Sequence, residues 1–124
     1  MLKAFFPAIV WSLIILGLST MPGVSLPQSW ADLISFDKLA HLVVYALLSF
    51  LVLRALSKIE GLNRKNLVKT LVFCGLYGIL MESIQYGFFP DRYFEVLDII
   101  ANIIGSFIGA WMFYYLHRKK PVAR

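Results

Sequence analysis

Four apolar stretches, at about 4–21, 38–56, 67–87 and 96–116, occupy most of this 124-residue chain. Each approaches the roughly 20 residues that a helix needs to cross the hydrocarbon core of a bilayer. Lipid offers backbone groups no water, so a spanning run of this kind must bond internally as a helix. Ordinary stop signals part the runs: Met21-Pro22-Gly23, then Glu60-Gly61-Leu62-Asn63-Arg64-Lys65, then Phe89-Pro90-Asp91. The expected fold is an all-α membrane protein, a four-transmembrane-helix bundle forming one domain over 1–124. Composition agrees: 60% of the residues are hydrophobic, against roughly 45–50% in soluble domains. A soluble protein this small could not bury that much apolar surface. The first run, with Lys3 ahead of an apolar centre, also resembles a signal peptide. Leu18-Ser19-Thr20 is a poor cleavage site, so a retained helix is expected.

Charge sets the expected orientation. The net charge of +5 does not imply nucleic acid, because the basic residues sit in short runs between the apolar stretches. If both termini are cytoplasmic, ten of the 12 lysines and arginines face inward, and only Lys38 and Arg92 face outward. Such a bias is the positive-inside pattern. Six of the seven acids then lie on the outer side, Glu60 being the exception. Cys74 falls within the third run; a lone cysteine forms no internal disulfide, and packing is its expected role.

Polar residues inside spans tend to face a bundle interior or a wet cavity. Here they form stripes at helical spacing. Lys38, His41, Tyr45 and Ser49 line one face of the second span, with Asp37 one turn before His41. Gly75, Gly78, Glu82 and Gln85 line the third, and Asp98, Asn102, Gly105 and Gly109 the fourth. The first span offers only Ser12 and Ser19 and is expected to be support. In each polar span the charged groups lie near the expected outer end; His41 is one turn in, about 5 Å at 1.5 Å per residue. Gly105 and Gly109 form a small-xxx-small packing element. The second and fourth helices would open their N-termini on the outer side, beside Lys38 and Arg92, an arrangement suited to an anion.

These residues resemble the VanZ-like family. The matching run is Asp37-Lys38-x-x-His41-x-x-x-Tyr45, then Glu82-x-x-Gln85, Arg92, Asp98-x-x-x-Asn102, Gly105 and Gly109. One departure is Tyr93-Phe94-Glu95-Val96-Leu97, where many members carry a small hydroxyl residue between the arginine and the aspartate. The resemblance implies a bacterial cell-membrane protein whose founding relative is associated with low-level teicoplanin resistance. No settled biochemical activity comes with it.

Chemically, the set suggests a phosphate-bearing head group, on a phospholipid or a polyprenyl-phosphate-linked intermediate, held at the outer leaflet. His41, Glu82, Asp98 and Asp37 would be the acid–base groups; Lys38, Arg92, Gln85, Asn102 and Tyr45 would hold the substrate. If bonds are broken, the activity is a head-group transferase or hydrolase. The sequence specifies no cofactor; His41, Glu82, Asp98 and Asp37 could hold a divalent cation such as Mg²⁺, Mn²⁺ or Ca²⁺. Plainer roles compete: an N-cap for Asp37 or Asp91, interfacial snorkelling for Lys38, packing for Tyr45, and ion pairs joining Glu82 and Asp98 to Arg92 and Lys38. Trp30, Phe88, Phe89, Tyr93 and Phe94 suit an interfacial belt, and Arg118, Lys119 and Lys120 a solvated basic tail. A small permease, a non-catalytic scaffold and an oligomer stay open as alternatives. No P-loop, dinucleotide fingerprint, zinc motif or nucleophile elbow is present.

Overall fold

The computed structural model describes residues 2–19, 30–88 and 96–117, with side chains at 2–18, 38–87 and 96–117. The described residues form four helices and no strand: α1 (Leu2–Ser19), α2 (Trp30–Glu60), α3 (Arg64–Phe88) and α4 (Val96–His117). The expected breaks at Met21-Pro22-Gly23 and Phe89-Pro90-Asp91, the aromatic belt and the basic tail lie outside the residues so described.

Three helical segments are long and apolar enough to cross a membrane: Lys38–Glu60, Arg64–Gly87 and Val96–His117. The apolar part of α1, Leu2–Leu18, is shorter. Large apolar side chains point outward all along the bundle; Leu76, Phe107 and Trp111 are each more than half exposed. Such a surface would drive a soluble protein to aggregate, whereas lipid is a good solvent for it.

α2 begins well before residue 38. The stretch Trp-Ala-Asp-Leu-Ile-Ser-Phe-Asp at 30–37 contains no proline or glycine to stop a helix, and it continues the α2 backbone. Two expectations are corrected by this. Asp37 lies inside the helix and is not its N-cap. The free N–H groups of α2 sit about two turns away from Lys38 at 3.6 residues per turn, so they do not join an anion site there. Asp98 does lie in the first turn of α4, where the helix dipole favours a carboxylate.

The α2–α3 turn is built by three residues. Gly61 takes a φ of 90°, and its N–H reaches Ser57 O at 3.0 Å, a left-handed glycine closing a helix. Asn63 then caps α3, its Oδ1 accepting the Asn66 N–H at 2.8 Å. Asn66 in turn donates from Nδ2 to Gly61 O at 2.7 Å.

α2 and α4 make the most extensive helix contact, and they run parallel. Lys38 meets Asp98, Leu42 meets Gly105, Ala46 meets Gly109 and Phe50 meets Phe113, in that order along both helices. The approach is close because Gly105 and Gly109 lie directly against the carbonyls of Leu42 and Ala46. α1 is fastened by two side-chain bonds to backbone: Trp11 Nε1–H donates to Val44 O at 3.0 Å, and Tyr77 O–H to Ser12 O at 2.5 Å. Beneath them, Ala8, Ile15, Tyr45, Leu48, Val52, Cys74 and Met81 form one apolar core, and Leu53, Ala110 and Phe113 a second.

Candidate functional site

The polar stripes of α2, α3 and α4 meet at one end of the bundle. Lys38 Nζ lies 2.5 Å from Asp98 Oδ1, joining α2 to α4. One turn on, His41 Nδ1 is 3.0 Å from Asn102 Oδ1, and His41 Nε2 is 3.5 Å from Asp98 Oδ2. With Asn102 Oδ1 as acceptor, Nδ1 donates in that bond, and Nε2 faces the Asp98 carboxylate. α3 contributes Glu82, only 2% exposed, and Gln85, also buried. One ligand atom from each of His41, Glu82 and Asp98 can be chosen so that all three lie within 4.8 Å of one another.

Asn102, 1% exposed, is the pivot of this arrangement. Its Oδ1 holds the imidazole, its backbone carbonyl accepts the Ser106 hydroxyl at 2.8 Å, and its Nδ2 lies where a side chain on Gly78 would begin. Gly78 is therefore the notch in α3 that admits Asn102. Any substitution there pushes against Nδ2, since an added Cβ would stand 2.9 Å from it. Gly75, on the same predicted stripe, faces open space and receives nothing.

A cavity of about 210 Å³ opens beside the cluster. Its lining is polar at His41, Tyr45, Glu82, Gln85 and Asn102 and apolar at Ile15 and Leu18 of α1 and at Ala40, Val44 and Met81. Tyr45 Oη and Asn102 Nδ2 are fully buried and have no hydrogen-bond partner among the described residues. Buried polar groups are ordinarily satisfied. Two orphans beside one cavity mark a place where hydrogen-bond acceptors from beyond the described residues would be satisfied.

The structure thus gathers His41, Glu82, Asp98, Lys38, Gln85, Asn102 and Tyr45. Arg92 and the Asp37 side chain lie outside the described residues. Sequence reasoning missed Ser106, which sits on the Asn102 turn, and the share of α1 in the cavity wall. It also missed that Asn66 and Thr70 are buried at the opposite end. Those two bond to the backbone of their own turns, Thr70 Oγ1–H donating to Asn66 O at 2.8 Å, and form a helix junction. The signal for them was present: Asn66 and Thr70 are spaced i, i+4 on one helix face.

Comparison with known proteins adds the following. The family model described as VanZ/LLP1 matches residues 4–117. An uncharacterized protein of the fission yeast Schizosaccharomyces pombe, C11E3.10, is 26% identical over 85 residues, which cover 68% of this chain and 50% of that protein. The chain therefore spans about half the length of that relative. No solved structure matches.

Proposed function

Because this chain belongs to the VanZ/LLP1 family of membrane proteins, we propose that it binds the phosphate-bearing head group of a membrane lipid in the cavity beside His41. The observation that carries this reading is the mixed lining of the cavity. Polar groups with two orphaned buried donors, and apolar residues that include Ile15 and Leu18 of α1, line one space of about 210 Å³. An amphiphile has both halves of that chemistry; a free ion or a wholly apolar molecule has one. Tyr45, Asn102 and Gln85 would donate to phosphate or ester oxygens. Lys38, whose ammonium carries three donors, can serve Asp98 and a phosphate oxygen together. Arg92 would supply a planar fork from the connection before α4. His41, Glu82 and Asp98 are the groups that would meet the phosphate or the proton it exchanges, and Asp37 is a further candidate for that role.

Binding is tested with delipidated protein in mild detergent, titrated by native mass spectrometry with short-chain phosphatidylglycerol and with diacylglycerol. The phosphate lipid should bind saturably and the diacylglycerol should not. Tyr45→Phe and Gln85→Ala should each weaken binding about tenfold or more, a hydrogen bond to a charged group being worth about 1.5–3 kcal/mol. Equal uptake of both lipids, or variants that bind as the parent does, would remove the proposal.

Charge bias supports placing this end of the bundle at the outer leaflet of a bacterial cell membrane, with both termini cytoplasmic and α1 as a fourth span. In a Cys74→Ala background, cysteines at Ser29 and Phe89 should react with an impermeant thiol reagent in intact cells, and one at Asn63 should not. Labelling at Asn63 would put the cavity on the cytoplasmic side. A transport pathway is less well supported, because the buried charged side chains, Glu82 and Asp98, collect at one end and do not cross the midplane.

A further inference from the structure

The cavity beside His41 has an apolar rim. Of its lining residues only Leu18 of α1 and Ala40 of α2 are exposed; the others are buried or half-buried. Ile14, one turn from Leu18, and Val43, one turn from Ala40, are exposed as well and add apolar surface beside them. None of these four side chains can hydrogen-bond a water-soluble ligand on its way in. Lipid solvates all four well.

The polar groups lie deeper. Tyr45 and Asn102 are almost wholly buried, and Tyr45 Oη and Asn102 Nδ2 have no hydrogen-bond partner among the described residues. Trp11 ties α1 to α2 next to the same space: its Nε1–H donates to Val44 O at 3.0 Å, and Val44 itself lines the cavity. Trp11 stands about two turns from Leu18 on the same face of α1, and Val44 one turn from Ala40 on α2. A short crevice between the two helices therefore runs from the indole at one end to Leu18 and Ala40 at the other.

We propose that the cavity takes its ligand sideways from the bilayer. An acyl chain lies in the crevice of Leu18, Ala40 and Trp11, and the oxygens at the head of that chain reach Tyr45 and Asn102. This deepens the head-group reading and rests on it for the polar end. It makes the ligand a lipid that keeps its tail in the membrane, for which the same head group free in water is no substitute. Lipid tails are as apolar as the crevice, so moving a tail into it contributes little affinity. The tail acts by holding its polar end at the rim, at the raised effective concentration of a tethered group. The two buried donors supply the attraction.

The test uses full-length protein carrying Trp30→Phe and Trp111→Phe, which leaves Trp11 as the sole tryptophan, in mild detergent. The probe is phosphatidylglycerol brominated on the upper half of its acyl chains, since bromine quenches indole fluorescence on contact. Quenching of Trp11 should saturate and should be reversed by unbrominated dioctanoyl phosphatidylglycerol. Ala40→Phe fills the rim and should weaken this binding about tenfold or more. Leu39→Phe is the control: it is exposed and adjacent but does not line the cavity, and binding should be unchanged. Circular dichroism checks that each variant is folded. Quenching that never saturates, or that is equal in Ala40→Phe and Leu39→Phe, would overturn the proposal.

A competition on the Trp11-only protein, without the rim substitutions, decides the matter even if Ala40→Phe does not fold. Glycerophosphoglycerol, the same head group without chains, should not displace the brominated lipid at concentrations where the dioctanoyl lipid does. Displacement at equal concentration would mean entry from water; it would reject the sideways route and leave the head-group reading intact. Saturable quenching that is lost in Ala40→Phe yet unchanged in Tyr45→Phe and Gln85→Ala would do the reverse, keeping the crevice and removing the phosphate from the cavity.

Discussion

Gly109→Ala is expected to push α2 and α4 apart. A methyl group at 109 would fall on the Ala46 carbonyl and the Ser49 hydroxyl, and one at 105 on the Leu42 backbone. Side chains can rotate away from an intruder; a helical carbonyl cannot. Overpacking a well-fitted interior costs about 1–3 kcal/mol, occasionally more, and the backbone obstacle places both substitutions at the upper end. The separation should also lengthen the Lys38–Asp98 and His41–Asn102 contacts one to three turns away, so ligand binding should fall along with stability. Reversible unfolding in sodium dodecyl sulfate is the measurement. Gly75→Ala is the control, because a Cβ there meets nothing, and helix propensity alone makes it neutral or slightly stabilising. Equal losses at 75, 105 and 109 would mean that the glycines act through helix flexibility and not through packing.

Lys38→Met is expected to destabilise the bundle more than Asp98→Asn. The ammonium and carboxylate are 2.5 Å apart, but their surroundings differ: the Lys38 side chain is 21% exposed and that of Asp98 only 7%. Losing one partner of a buried pair costs about 3–5 kcal/mol, since the other keeps its desolvation penalty. Asp98 has little access to water, so Lys38→Met should be the costlier change, below that range because His41 still faces the carboxylate. A lysine can carry its charge toward an interface along its alkyl stem, so Asp98→Asn should cost about 1–3 kcal/mol after that relief. The double variant Lys38→Met with Asp98→Asn should recover much of the loss, giving a coupling that a double-mutant cycle reads directly. Strictly additive losses would show that the pair contributes nothing beyond its separate side chains.

Some of this arrangement is legible in the amino-acid sequence, and the rest is hidden for physical reasons. Helical periodicity is local, so spacing alone puts His41 with Tyr45, Glu82 with Gln85, and Asp98 with Asn102 on shared helix faces. Their common depth follows from counting residues to the helix ends. Pairing is not local: nothing in the stripes says that α2 lies against α4 with Leu42 opposite Gly105 and Ala46 opposite Gly109. The start of α2 is hard to read because Asp32, Ser35 and Asp37 end the apolar run without ending the helix. Hydropathy marks the limit of the lipid-soluble segment, whereas backbone continuity depends on the absence of proline and glycine. α1 reads as mere support because it carries few polar side chains. Its attachments use backbone carbonyls, at Ser12 on α1 and Val44 on α2, which every residue has and which no composition can reveal.

The parallel pairing of α2 with α4 has a consequence for biosynthesis. The bonds from Lys38 to Asp98 and from His41 to Asn102 join residues 60 and 61 positions apart, with all of α3 between them. At a synthesis rate of ~5–20 residues per second, α2 leaves the ribosome roughly 3–12 s before its partner. Through that interval its ammonium and imidazole must wait in the translocon or at the bilayer surface, while α2 is held by α1 and α3 but not yet by α4. α4 then completes the insertion of α2 as well as its own. A chain broken off after α3 would present Lys38 and His41 to lipid, the kind of exposed polar stripe by which membrane quality control recognises an unfinished protein.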